Sequence, residues 1–252
     1  MSLTSINLPG LTVAVDDRGE GGAVLLLHGG GGPGSVTALQ DALVGQARVL
    51  RPVHPGFDGQ PRPDGVDTIA DLASAYLDLL DELDLTDVLV VGNSIGGWIA
   101  SEMAVRDNHR RVRGLVLLNA VGIPPEFEGQ VVHAGDLELG DYLDLLWHDP
   151  ANGPDLTALS PADLATLASN VDTLNLYAGQ PYMHDPKLPA RLHRVGVPVL
   201  VAWGEADRAI PADYGRAYAG LFPDATFELV PGAGHLPQVE ATARVAELVR
   251  SR

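Results

Sequence analysis

The chain has 252 residues, 46% of them hydrophobic, no cysteine, and a formal charge of −17 from 33 acidic and 16 basic residues. That length fits one large α/β domain or a core carrying an insertion. The absence of cysteine excludes disulfides, thiolate catalysis and cysteine metal sites, and the acidity argues against nucleic acid, whose phosphates need a basic surface.

No run of about 18 apolar residues predicts a membrane span. Residues 1–10 lack a basic segment followed by an apolar signal core, so a cytoplasmic protein is expected. The acidic residues are spread along the chain, which reads as a soluble, mutually repulsive surface.

Residues 3–15 predict two short strands broken at Pro9-Gly10, with a turn over residues 16–22. Residues 23–27 are apolar throughout, as a strand covered on both faces should be. They run straight into His28, four glycines from Gly29 to Gly32, and Pro33. Such a run supports neither helix nor strand; alone it reads as a flexible turn, although it also lets backbone amides approach a ligand closely. A helix is predicted over 36–46 and a strand over 48–53, ending at His54-Pro55-Gly56-Phe57. Thr68 with Asp71 predicts a capped, amphipathic helix that buries Leu72, Tyr76, Leu79, Leu80 and Leu83.

Residues 88–91 form an apolar run that stops at Gly92-Asn93-Ser94-Ile95-Gly96. A glycine-bracketed serine between a buried strand and a helix has the spacing of a nucleophile elbow, which exposes the serine oxygen at the tip of a strained turn. Side chains two residues before and after it would collide in so tight a turn. The helix predicted over 97–105 points its N-terminus at the serine and favours negative charge there. A further buried strand follows over 113–120. Strands alternating with helices in this way predict a parallel sheet covered on both faces.

The rhythm breaks over residues 122–189, which hold eight prolines from Pro124 to Pro189, two helical stretches (136–147 and 161–176) and no strong β pattern. We read this interval as a small helical cap over the carboxyl ends of the strands, where it would cover the binding crevice. Residues 1–121 and 190–252 then make the core. The sheet resumes over 197–203 and leads to Asp207. A helix (212–221) and a strand (226–230) follow, the latter ending at Gly234-His235, and a closing helix is predicted over 239–249.

Ser94, Asp207 and His235 thus fall at the carboxyl ends of successive buried strands. With the glycine turn after an early strand and the His54-Pro55-Gly56-Phe57 turn, this order resembles the α/β-hydrolase superfamily over nearly the whole chain outside the cap. The resemblance implies a mostly parallel eight-stranded sheet with helices on both faces and a helical cap after the sixth strand. A hydroxyl needs a base to remove its proton as it attacks, and a neutral imidazole titrates in the right range. His235 is therefore the expected base for Ser94, and Asp207 the acceptor that sets its tautomer.

The Ile95 amide, just after the nucleophile, is one expected oxyanion donor. The resemblance implies a second from the glycine turn, Gly30, with Gly29 or Gly31 as alternatives. Gly29, Gly31, Asn93, Trp147 and Tyr182 are candidate substrate contacts, although Trp147, Tyr177, Tyr182 and Met183 equally suit a core for the cap. His28 is expected to brace the glycine loop and His54 to pack beneath it. His109, His133, His148, His184 and His193 lack metal-ligand spacing. The glycine run lacks the lysine of a phosphate loop and the spacing of a dinucleotide fingerprint. No metal, cofactor, nucleic acid or membrane partner is expected.

The expected activity is that of a cofactor-independent serine hydrolase that cleaves a small to medium, mostly uncharged carboxylic ester through an acyl-enzyme. Asn93 and the glycine-proline loop also resemble carbon-carbon bond hydrolases of ring-fission dienones. Those enzymes commonly carry tryptophan after the catalytic histidine, where this chain has Leu236, and Arg191 is the candidate here to hold a substrate carboxylate. A small-molecule receptor or a lyase on the same fold is a third reading. Ser94 disfavours epoxide hydrolases and haloalkane dehalogenases, which the resemblance would give aspartate at the elbow.

Overall fold

The apolar runs become strands of one sheet: β1 (Thr4–Leu8), β2 (Leu11–Arg18), β3 (Ala23–Leu27), β4 (Arg48–Pro52), β5 (Val88–Asn93), β6 (Val112–Leu118), β7 (Val199–Gly204) and β8 (Ala225–Val230). They are seen in a computed structural model of the protein that describes residues 3–126, 130–132 and 137–252. Their order is β1-β2-β4-β3-β5-β6-β7-β8. β2 pairs antiparallel with β1 and β4, and every neighbour from β4 to β8 is parallel. This is the eight-stranded, mostly parallel sheet that the sequence predicts.

Helices α1 (Thr37–Leu43), α2 (Ile69–Glu82) and α3 (Ile95–Arg106) precede the insertion, and α7 (Ala212–Ala219) and α9 (Thr242–Arg250) follow it. Alternate strand residues feed two cores, because successive side chains of a strand point to opposite faces. Leu25, Leu27, Val88 and Val90 pack with Leu72 and Tyr76 of α2, Ile99 and Met103 of α3 and Tyr218 of α7. Val24, Leu26, Leu89 and Val91 pack with Leu39 and Leu43 of α1 and Val245 and Val249 of α9. Each such side chain contributes about 1.5–3 kcal/mol by burial. The predicted cap of α2 is a reciprocal box: Thr68 Oγ1 accepts from the Asp71 amide (3.2 Å) and the Asp71 carboxylate from the Thr68 amide (3.0 Å).

Two local expectations need correction. The turn expected over 16–22 begins later, because Asp16 and Asp17 continue β2 and pair with Arg51 (2.8 Å) and Arg48 (2.7 Å) of β4. The closing helix is two helices, α8 (Pro237–Glu240) and α9, broken at Ala241, whose φ of −131° and ψ of 43° are not helical.

Between β6 and β7 lie α4 (Leu139–Leu145), α5 (Pro161–Ala178) and the short α6 (Pro189–Leu192). The first predicted stretch started at Asp136, which like His133 lies outside the described residues. Hydrogen bonds fasten α5 to loops at the carboxyl ends of the strands. Thr173 Oγ1 donates to Gly56 O (3.0 Å), Tyr177 Oη to Pro55 O (3.0 Å), and Asn170 Nδ2 to the Asp58 carboxylate (2.8 Å). Tyr177 and Met183 join the larger core. Among the described residues, no helix is long and apolar enough to cross a membrane.

Candidate active site

Ser94 stands between β5 and α3 with φ 53° and ψ −120°, a backbone conformation that costs of order 1–3 kcal/mol and persists only where its surroundings enforce it. Gly92 and Gly96 make that possible. A Cβ on Gly92 would lie 2.2 Å from Gly96 O, and one on Gly96 would lie 2.4 Å from Leu27 O at the end of β3. The elbow is thus pressed against the strand that delivers the glycine loop. A Cβ on Gly29 would meet Ser94 Cβ at 2.9 Å, and one on Gly30 would meet the Leu174 side chain of α5 at 2.6 Å.

Loops after β7 and β8 bring Asp207 and His235 together. The Ala206 amide donates to Ala233 O (2.9 Å), and Gly204 has room only for hydrogen beside Gly234 O. His235 Nδ1 lies 2.8 Å from Asp207 Oδ2, with the Asp207 side chain fully buried. The carboxylate is held on both oxygens: Oδ1 accepts from the amides of Ala209 (3.0 Å) and Ile210 (2.9 Å), and Oδ2 also accepts from Asn119 Nδ2 (2.7 Å). With Nδ1 donating to a carboxylate, a neutral ring keeps its lone pair on Nε2.

The His235 main chain is gripped as well. Its amide donates to Leu146 O (2.7 Å), and its carbonyl accepts from Asn93 Nδ2 (3.1 Å), so the residue before Ser94 ties the histidine loop to the elbow. Among the described residues, no group is hydrogen-bonded to the Ser94 hydroxyl.

The Ile95 amide opens α3, where first-turn N–H groups have no intrahelical partner. The Gly29 carbonyl accepts from the Gly32 amide (3.1 Å) and lies 2.8 Å from His28 Nδ1. His28 Nε2 accepts from the His54 amide (3.1 Å), and His54 Nε2 lies 2.9 Å from His28 O. His54 Nδ1 is left to accept from the Tyr76 hydroxyl. The two imidazoles stack with centroids 3.7 Å apart. Burial pushes His54 down to about 4, and burial followed by the neighbouring His54 pushes His28 well below the usual histidine range. Both rings are therefore neutral at pH 7; His28 holds the glycine loop through Gly29 O, and His54 stacks against His28, the places expected of them from the sequence.

Other expected contacts are distributed unevenly. Asn93 is 1% exposed, and its amide nitrogen is engaged by Leu118 O and His235 O, so it acts as a brace beneath the elbow. Trp147 is buried with its indole against Gly153, while Gly31 lies beside Ser35. Burial first, then the neighbouring Tyr182 and Asp207, push the Tyr142 hydroxyl above the usual tyrosine range, and Tyr182 packs partly buried against the larger core. Arg191 is paired with Glu102 (2.7 Å) and Asp185 (2.5 Å), which corrects its candidacy as a carboxylate anchor. Among the described residues, no group of three or more acidic or histidine side chains could hold a metal ion.

Asn119 and Glu240 were missed by the reading of the sequence. Asn119, at φ 45°, takes the Gly204 amide on its Oδ1 (3.0 Å) while donating to Asp207. The signal for it was a polar residue closing the buried run of β6. Nothing in the sequence around Glu240 marked it.

A serine in a strained strand-helix turn on a mostly parallel sheet, with a histidine held by a buried aspartate on loops after later strands, is the arrangement of the α/β hydrolases. Residues 24–248 match the alpha/beta hydrolase family, and the chain belongs to that family. It is 30% identical over 247 residues to a dihydrolipoyllysine-residue acetyltransferase component of an acetoin cleaving system from Cupriavidus necator; the match covers 93% of this chain and 64% of that protein's length. It is 29% identical over 273 residues to a 2-hydroxymuconate semialdehyde hydrolase from Pseudomonas putida, covering 96% of this chain and 90% of the relative. A thermophilic esterase from Thermogutta terrifontis superimposes with a TM-score of 0.77 at 24% identity, covering 100% of this chain and 97% of that one.

Proposed function

We propose that the protein is a serine hydrolase of small to medium, mostly uncharged carboxylic esters, with Ser94 as nucleophile, His235 as base and Asp207 as its orienting partner. The observation that carries the reading is the Asp207-held imidazole, with Nε2 left as acceptor, on a loop tied by Asn93 to a serine in a strained elbow. Ser94 Oγ attacks the ester carbonyl as His235 Nε2 takes its proton. The tetrahedral oxyanion is met by the amides of Ile95 and Gly30, a donor in such a site contributing about 3–4 kcal/mol. Collapse expels the alcohol, protonated by His235, and water activated by the same ring releases the acid.

Residues 122–189 act in this proposal as a cap that shapes the pocket, with Tyr182 and Trp147 on its inner side. The composition of the cap argues against an anionic substrate: it carries eleven acidic residues and one basic residue, Lys187, and Arg191 beside it is already paired. A second reading, carbon-carbon cleavage of a dienone, is favoured by the match to the 2-hydroxymuconate semialdehyde hydrolase over nearly the whole chain.

Short-chain p-nitrophenyl esters and a ring-fission dienone, assayed side by side, test both. The expected result is a burst and steady turnover of the esters, with a fluorophosphonate adduct mapped by mass spectrometry to Ser94. Turnover of the dienone alone would move the assignment to the second reading, and an unlabelled Ser94 with no turnover of either would sink both.

A further inference from the structure

Glu240 ends α8, and the non-helical Ala241 that follows breaks the path into α9. Its carboxylate is filled by four donors. Oε2 accepts from the amides of Gly234 (2.7 Å) and His148 (3.1 Å); Oε1 accepts from the Asp149 amide (3.1 Å) and Asn152 Nδ2 (3.0 Å). Three of these donors belong to the segment following α4, and the fourth is the amide directly before His235.

The two segments also touch without Glu240. The His235 amide reaches Leu146 O, and a Cβ on Gly234 would lie 2.5 Å from Leu146 O and 2.8 Å from His148 N. Burial works against the Glu240 charge, but the bonds from Gly234, His148, Asn152 and Asp149 together hold its carboxyl below the usual range. An anion that accepts four charge-assisted bonds is a strong fastener.

We infer that Glu240 is a positioning residue that locks residues 146–152 to the loop carrying His235, so that the imidazole is correctly placed only while the cap is seated. The inference rests on the proposed role of His235 as base. Around the His235 loop, Asn93 of the elbow and Asn119 at the end of β6 grip from the sheet side, while Leu146 O directly and Glu240 through Gly234 tie it to the cap segment. A merely stabilising acid would lower the melting temperature when removed and leave turnover per folded molecule alone. A positioning acid would lower kcat, because displacements of about 1 Å in a reacting group cost up to about a hundredfold in rate.

The test uses Glu240→Gln and Glu240→Ala in the full chain, together with Asn152→Ala, which removes one exposed donor and leaves the carboxylate. For Glu240→Gln the expected result is a fall in kcat of about tenfold to a hundredfold with KM changed less than about twofold, and for Asn152→Ala a smaller fall of the same kind. Residue-resolved hydrogen exchange should show the His235 amide, which Glu240 does not touch, exchanging faster in step with His148 and Asp149. An unchanged kcat per folded molecule, a rise in KM alone, or an unchanged exchange rate at His235 would overturn the inference. The exchange measurement needs no substrate, so wild-type protein inactive on esters would count against the hydrolase reading while exchange still decides the linkage.

Discussion

The sheet and the segment laid over its carboxyl edge are held by different balances of packing and hydrogen bonding. β3, β5 and β7 are buried along their whole length between helices on both faces, and their alternation alone dictates how they pack. Over residues 122–189 the exposed leucines Leu137, Leu164 and Leu176 remain at 40–41% accessibility, and little of the apolar surface is gathered into a separate centre. Its apolar residues Leu174, Tyr177, Ala178 and Met183 join the larger core beneath, and hydrogen bonds add to that seat: Asn170, Thr173 and Tyr177 on one side and the Glu240 cluster on the other. Under the proposed function the two, as floor and roof, would divide the labour, since chemistry needs side chains held by packing, whereas choice of ligand needs a surface that can be altered without unfolding the sheet.

The contrast can be broken most severely at the floor. Ser94→Ala should lower kcat by at least about ten-thousandfold while circular dichroism and the melting temperature stay close to wild type; substantial residual ester turnover would remove the serine from the mechanism. Asp207→Asn should cost about a thousandfold to ten-thousandfold, because an amide can stabilise the wrong imidazole tautomer, and wild-type kcat in this variant would dismiss Asp207 as the orienting group.

Acid should loosen the floor through its neutral histidines. His54 is held at about 4 in the fold against 6.5 for a free imidazole, so between those values the unfolded chain binds a proton that the folded chain does not. The stabilisation is complete above about pH 6.5 and is lost as pH falls toward 4, by about 3 kcal/mol, with His28 acting in the same direction. Thermal melts across this range measure it, and equal stability at both ends would contradict a neutral, buried ring.

The smallest effect belongs to the roof. An ester carrying a carboxylate should be turned over about tenfold more slowly than its neutral isostere at low ionic strength, the gap narrowing as salt screens the acidic cap. Equal rates at every salt concentration would detach cap charge from substrate choice.

The expected catalytic positions could be named because each follows the end of a strand with glycine nearby, a local pattern readable without coordinates, although β8, the edge strand before His235, is only partly buried. Their braces were not legible, since they act across long separations: Asn119 meets Asp207 from another strand, and Glu240 reaches back to Gly234 and out to Asn152. Asp16 and Asp17 resembled a turn because acidic pairs favour turns, and only the arginines of β4 make them strand residues. Arg191 looked available for a ligand because its partners, Glu102 on α3 and Asp185 in the preceding loop, converge only in three dimensions.

The chain of contacts from Tyr76 through His54 and His28 ends on one carbonyl, that of Gly29. In a planar trans peptide the oxygen and the hydrogen point in opposite directions, so fixing that oxygen also fixes the heading of the Gly30 N–H. A phenol on α2, remote in sequence from the loop, thereby helps aim a dipole before any ligand arrives. In the proposed mechanism, where Gly30 is an oxyanion donor, the developing negative charge would meet an amide already turned to its final angle, with no reorientation left to perform during the reaction.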